Sequence, residues 1–260
     1  MDPKGRTVLV TGGGTGIGAA TARRLAAAGA RVALMGRRPG PLESVAREIR
    51  KERRGGRVVA VPGDVSKPAE VQSCVARAEK ALGPVDILVN NAAVLITGPV
   101  AEQPLEEFRR MMEINYFGPV MMARAVLPGM RRRGSGHIVT VASVAGRKSI
   151  SGYGAYAATK FAVIGFMDAL RQELHGSGIG VSTVLPGAAA TPIGDPFAEK
   201  SPLARMSVVR PEMVAGAILE ALLLNKPQVY VPKPLQTLAL MNELSPRGAD
   251  LVMRLVTGGR

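Results

Sequence analysis

The chain has 260 residues, of which 47% are hydrophobic and 21% charged, enough to bury the core of one large α/β domain. One cysteine, Cys74, rules out an internal disulfide, and Met1 to Arg6 lack the apolar run of a signal peptide. A net charge of +14 comes with only 3% aromatic residues, none interleaved with the basic clusters to stack on bases, so no nucleic-acid partner is expected.

Thr7 to Thr11 form a short apolar and β-branched run without alternation, as expected of a strand buried on both faces of a parallel sheet. Gly12-Gly13-Gly14-Thr15-Gly16-Ile17-Gly18 follows, and then a helical run from Ala19 to Ala28. Strand, glycine turn and helix together form the context in which glycines let the backbone approach a pyrophosphate at a helix N-terminus. A second strand, 31–35, ends at Gly36-Arg37-Arg38. An acidic residue at this strand end would bind the ribose 2′-OH of NAD; a small residue followed by a guanidinium suits the 2′-phosphate of NADP. NADP(H) is therefore expected over NAD(H), with Arg37 carrying more of the contact than Arg38.

Helix (about 40–54), strand (57–61), helix (68–82) and strand (85–89) continue the alternation. The pattern predicts a single Rossmann-type, doubly wound parallel sheet of about seven strands with helices on both faces. Asp64-Val65 and Asn90-Asn91-Ala92-Ala93 lie just past the carboxyl ends of the third and fourth strands, where ligands bind in open α/β sheets. A long helix is predicted from about Leu105 to Arg132, with Asn115 buried in its middle among Ile114, Tyr116 and Phe117. Basic groups at helix ends, Arg131-Arg132-Arg133 and Lys51, Arg53 and Arg54, suit the negative pole of the dipole.

Strand 137–142 delivers Ser143 at its carboxyl end, and a helical pattern opens around Tyr153-Gly154-Ala155-Tyr156. Tyr156 and Lys160 are four residues apart, one turn on one helix face. A phenol loses its proton near pH ~10, and an ammonium beside it favours the phenolate and brings it into working range. Tyr153 lacks such a partner, because Ala157 stands where the cation is needed.

Strand 179–185 ends at Pro186-Gly187, and the aperiodic segment 188–210 reads as a substrate lid. Helix 211–224 and strand 228–231 complete the domain over 1–232. The remainder, 233–260, reads as a helical extension broken at Pro246, its stripe of Leu235, Leu238, Leu244, Leu251 and Leu255 packed on the domain or on a second subunit. No stretch is a membrane span, no metal is expected, and the chain is expected to be cytoplasmic.

The motifs in this order resemble the short-chain dehydrogenase/reductase family over roughly residues 6–232. Thr11-Gly12-x-x-x-Gly16-x-Gly18, Asp64, Asn90-Asn91-Ala92, the set Asn115, Ser143, Tyr156 and Lys160, and Pro186-Gly187 with Thr191 all match family motifs. Ala93 stands where the family usually has Gly. The resemblance implies a cofactor site at Thr11, Gly12, Gly14 to Gly18, Gly36, Arg37, Arg38, Asp64, Val65, Asn91, Ala92, Tyr156, Lys160, Pro186, Gly187 and Thr191. It implies hydride transfer at a carbonyl carbon, with Tyr156 exchanging the proton and Ser143 holding the same oxygen. Lys160 would lower the phenol's pKa and hold the ribose, and Asn115 would support a water. The expected partner is a small hydrophobic carbonyl or alcohol, with a pocket drawing on Leu95, Ile150, Tyr153, Ile193 and Phe197. A homo-oligomer, dimer or tetramer, is also expected. The rival expectation is an NADP(H)-binding sensor or scaffold without turnover.

Overall fold

The computed structural model describes residues 1–52, 57–189 and 208–257. Seven parallel strands form one sheet in the order β3-β2-β1-β4-β5-β6-β7: β1 Thr7–Thr11, β2 Arg31–Gly36, β3 Val58–Pro62, β4 Ile87–Asn90, β5 Gly136–Val141, β6 Ile179–Pro186 and β7 Gln228–Val231. The strand predicted at 85–89 begins two residues later than expected and reaches Asn90.

Alternation along β1 explains the absence of a polar face. Val8 and Val10 enter one core cluster with residues of α1 (Gly16–Ala27) and α2 (Pro39–Glu52). Leu9 enters the other, with residues of α3 (Pro68–Leu82). Successive side chains of a strand point to opposite faces, so a sheet covered twice needs apolar residues at every position. That arrangement leaves only the strand ends for chemistry. β1 pairs with β2 on one side and β4 on the other, so the chain reverses its direction of spread between β1 and β4. The crevice beyond the carboxyl ends of these two strands is where a ligand fits.

The helix predicted over 105–132 is three pieces: α4 (Leu105–Met112), a π-helical turn (Glu113–Phe117) and α5 (Gly118–Arg133). Pro119 has no N–H and cannot make the α-helical bond to the Asn115 carbonyl, and the Gly118 N–H reaches back to Glu113 instead. A Cβ on Gly118 would stand 3.0 Å from Val65, so the widened turn presses close to the end of the third strand. α5 ends as expected, with Arg131, Arg132 and Arg133 in its last turn and Gly134 left-handed at φ +58°.

α6 (Gly154–Glu173) and α7 (Pro211–Leu224) complete the layers, and the tail folds as α8 (Leu235–Leu244) and α9 (Pro246–Thr257). The predicted leucine stripe does not survive this division. Leu244 is 88% and Leu251 61% exposed, while among the described residues of the tail Ala239 and Ala249 are the buried ones. Pro246 starts a new helix, which resets the helical phase, so a stripe read across the break is not one face. The Leu255 side chain lies outside the described set, as do Arg53, Arg54 and 190–207, most of the segment read as a lid. Its two ends meet in an isolated parallel bridge, Ala189 to Val209. Among the described residues no helix is long and apolar enough to cross a membrane.

Candidate active site

The β1–α1 turn is held open by a clamp from β4. Thr11 Oγ1 accepts the N–H groups of Asn91 (2.9 Å) and Ala92 (3.0 Å), and Asn91 Nδ2 donates back to the Thr11 carbonyl at 2.9 Å. Gly12 sits at φ +65°, where a side chain is strained, and its Cβ would meet Asn91 Nδ2 at 2.8 Å. Any Cβ at Gly18 would collide with the Gly12 carbonyl oxygen. These glycines are required by the turn itself. α1 then starts with no side-chain cap and no acidic residue in its first turn, unlike α3, which carries Glu70 there. Its N–H groups and positive dipole end are therefore offered to an anion.

A cavity of about 390 Å3 runs from this turn to the catalytic candidates. Its cofactor end is lined by Gly12, Gly14, Thr15, Gly16, Ile17, Gly36, Arg37, Arg38, Asp64, Val65, Asn91 and Ala92. Arg37 and Arg38 are exposed and belong to no ion pair among the described residues. A Cβ at Gly36 would meet only ordinary contact, with Leu42 at 3.4 Å, so packing tolerates a larger residue there. Asp64 is oriented from both sides: its Oδ1 accepts the Ser66 N–H and hydroxyl, and its own N–H donates to Glu70 at 2.8 Å.

The other end of the cavity takes Ser143, Tyr156, Lys160, Pro186 and Gly187. Ser143 follows β5 and caps the 3-10 turn Val144–Gly146, its Oγ accepting the Ala145 N–H at 3.1 Å and donating to the Pro186 carbonyl at 3.4 Å. Tyr156 and Lys160 share a face of α6, with Lys160 Nζ 5.5 Å from the centre of the Tyr156 ring, within cation–π range. Lys160 is buried, donates to the Val141 carbonyl at 3.2 Å, and is pushed down to about 8 by desolvation. At neutral pH it is still mainly a cation, and the low dielectric that lowers its pKa strengthens its hold on the neighbouring phenol.

Asn115 supports the site from behind the wall. Its Oδ1 accepts the Val94 N–H at 2.8 Å, and its Nδ2 donates to the Val94 carbonyl (2.9 Å) and Thr159 Oγ1 (3.1 Å). The π turn thus ties the loop after β4 to the residue preceding Lys160. Thr11, Gly18 and Asn115 are the predicted residues that shape the cavity without lining it. Thr191, Ile193 and Phe197 lie outside the described residues. Leu95, Ile150 and Tyr153 line the cavity as expected. Tyr153 is buried and packs edge-on against Tyr156, with 6.3 Å between ring centres. Sequence reasoning missed Leu238 and Met253 of the tail, as well as lining residues such as Pro41, Leu42 and Val141.

A family model for short chain dehydrogenases matches residues 6–202, and the chain belongs to that family of oxidoreductases. It is 32% identical over 256 residues to the ketoacyl reductase HetN of Nostoc sp., covering 96% of this chain and 88% of that protein. It is 34% identical over 244 residues to dehydrogenase/reductase SDR family member 7B of Bos taurus, covering 90% and 75%. A short chain dehydrogenase/reductase of Burkholderia phymatum, solved in complex with NAD, superposes with a TM-score of 0.87 at 25% identity over 95% of each chain.

Proposed function

We propose that this chain is an NADP(H)-dependent reductase that interconverts a ketone or aldehyde and an alcohol. One observation carries the reading: a buried lysine stands over a tyrosine ring inside the same cavity that an uncapped helix N-terminus and two exposed arginines enter. The residues present fit a dinucleotide. Gly18 leaves no room for a Cβ against the Gly12 carbonyl, which keeps the turn tight on the start of α1 where a pyrophosphate would sit, and Gly36 with Arg37 suits a 2′-phosphate. Asp64 is assigned to the adenine ring, with Thr191, Pro186 and Gly187 at the nicotinamide. When bound, the cofactor exchanges hydride with the carbonyl carbon.

The chain's own residues do the rest. Tyr156 gives its phenolic proton to the substrate oxygen as charge develops there, and Ser143 Oγ hydrogen-bonds the same oxygen. Lys160 has three N–H donors and spends one on Val141, which leaves donors for a ribose hydroxyl and a water. That water is assigned to the Asn115 carbonyl, which Pro119 leaves without its α-helical donor; the Asn115 side chain is already committed to Val94 and Thr159. Protein-side acid–base catalysis of this kind is worth about 10²–10⁴ in rate.

A homo-oligomer belongs to the same proposal, supported by the exposed large apolar side chains Phe117 and Phe161. Sedimentation of the purified chain checks it, and a monomer removes it. The activity is tested by NADPH absorbance with a broad ketone and aldehyde panel. The wild-type chain should oxidise NADPH about 10²–10⁴ faster than Tyr156→Phe, while both bind the cofactor. Binding without turnover on any carbonyl would leave only the sensor reading.

A further inference from the structure

We infer that the helical tail forms the distal wall of the substrate end of the cavity, and that Met253 and Leu238 set the length of apolar chain it accepts. This inference deepens the reductase reading and rests on it for its activity arm.

The tail reaches the site directly. Met253 of α9 packs in one cluster with Tyr153, Tyr156, Leu95, Ile150 and Ala188. Leu238 of α8 lines the same cavity. The side chains facing a carbonyl compound held at Tyr156 therefore come in part from Leu238 and Met253, both beyond the end of the sheet's last strand at Val231.

The tail is also fastened at the right place. Asn242 Nδ2 donates to the Arg147 carbonyl at 3.1 Å, and Lys148 pairs with Asp250. Arg147 and Lys148 close the 3-10 turn that Ser143 caps, since the Lys148 N–H donates to the Val144 carbonyl at 3.0 Å. One short turn thus carries the Ser143 hydroxyl at one end and the anchor points of α8 and α9 at the other. The tail is held in register with the reacting atoms rather than merely resting on the domain.

The chemistry of the wall decides the substrate class. Apart from Lys160, Lys148 is the cation among the described residues lining this part of the cavity; its side chain is only 10% exposed, and Asp250 pairs with it. Away from Ser143 and Lys160, the described side chains that remain toward the ligand are two phenol rings, aliphatic groups and a thioether. A charged group pressed against Met253 would lose its hydration without a partner, whereas an alkyl chain would find contact. Methionine has three rotatable bonds and adapts to chains of differing length, so the wall should grade substrates by size rather than admit one shape.

The test uses the full-length chain and methyl n-alkyl ketones from butanone to methyl decyl ketone. Two readouts are taken: kcat/KM by NADPH absorbance, and the thermal shift each ketone adds to protein saturated with NADP+. Each methylene that finds apolar contact should raise both by about fourfold in apparent affinity until the wall is met. Met253→Ala and Leu238→Ala should move that limit to longer chains, and Met253→Trp to shorter ones. Opposite movements from one position cannot come from misfolding. The inference is overturned if the limit stays put in all three variants while their melting temperatures hold, if butanone is preferred to every longer ketone, or if no member either binds or turns over. Movement of the limit in the thermal shifts with no NADPH oxidation would keep the wall and remove the reductase reading.

Discussion

The two ends of the cavity are built by different means. The cofactor end is backbone: two strand ends, a glycine turn clamped by Thr11 and Asn91, and the start of α1. The substrate end is side chain: Leu95, Ile150, Tyr156 and Met253 packed round Tyr153. Backbone geometry serves one invariant ligand shape and tolerates little change. Side-chain walls can be refitted one residue at a time without moving the sheet. Between the two ends stands Lys160, buried and bonded to the carbonyl of β5's last residue, Val141, and therefore as rigid as the sheet.

The largest effect is expected at that junction. Lys160 has a folded pKa of about 8 against an ordinary 10.5. The unfolded chain therefore binds more protons between those values, and folding stability should rise with pH through that window. The cation's burial costs about 3 kcal/mol, felt in full below pH 8. Lys160→Met should be more stable than wild type at neutral pH by a comparable amount and lack this rise. Denaturant unfolding at pH 7 and above pH 10 measures the difference between the two curves. A variant no more stable at pH 7 would show that Lys160 is not buried as a cation.

The next largest effect should come from the cofactor end. Gly18→Val puts a side chain onto the Gly12 carbonyl, and overpacking of this kind costs about 1–3 kcal/mol. The thermal shift given by NADPH should disappear while the chain still unfolds cooperatively. A retained shift would mean that the turn has more give than a backbone cradle allows.

The smallest effect concerns cofactor choice, because Arg37 and Arg38 are exposed and Gly36 has room. Gly36→Asp with Arg37→Ala should turn preference from NADPH towards NADH. A hydrogen bond to a charged group is worth about 1.5–3 kcal/mol, so the ratio of kcat/KM values should change by about 10–100-fold. An unchanged ratio would place the 2′-phosphate elsewhere.

The cofactor end was largely legible in the sequence because its determinants are local. A glycine run between a strand and a helix, a small residue before Arg37, and Tyr156 one helical turn from Lys160 each lie within a few residues. The long helix over 105–132 was legible as helical, but not its π turn. That turn depends on Pro119 together with the pull of Val94 and Thr159 on Asn115, two partners remote in sequence. The leucine stripe of the tail misled for a related reason: Leu244 and Leu251 sit on either side of a phase break, and both are exposed.

Periodicity and motif order by themselves determined the sheet, its parallel sense, the crevice it opens and the tyrosine–lysine pair, because those follow from spacing along the chain. Tertiary structure alone decided that Lys160 is desolvated, that Asn115 works from behind the wall, and that Met253 packs with Tyr156 against Tyr153. Burial and contact between residues far apart in sequence arise only when the helices dock, and no local pattern encodes which distant side chain completes a cavity.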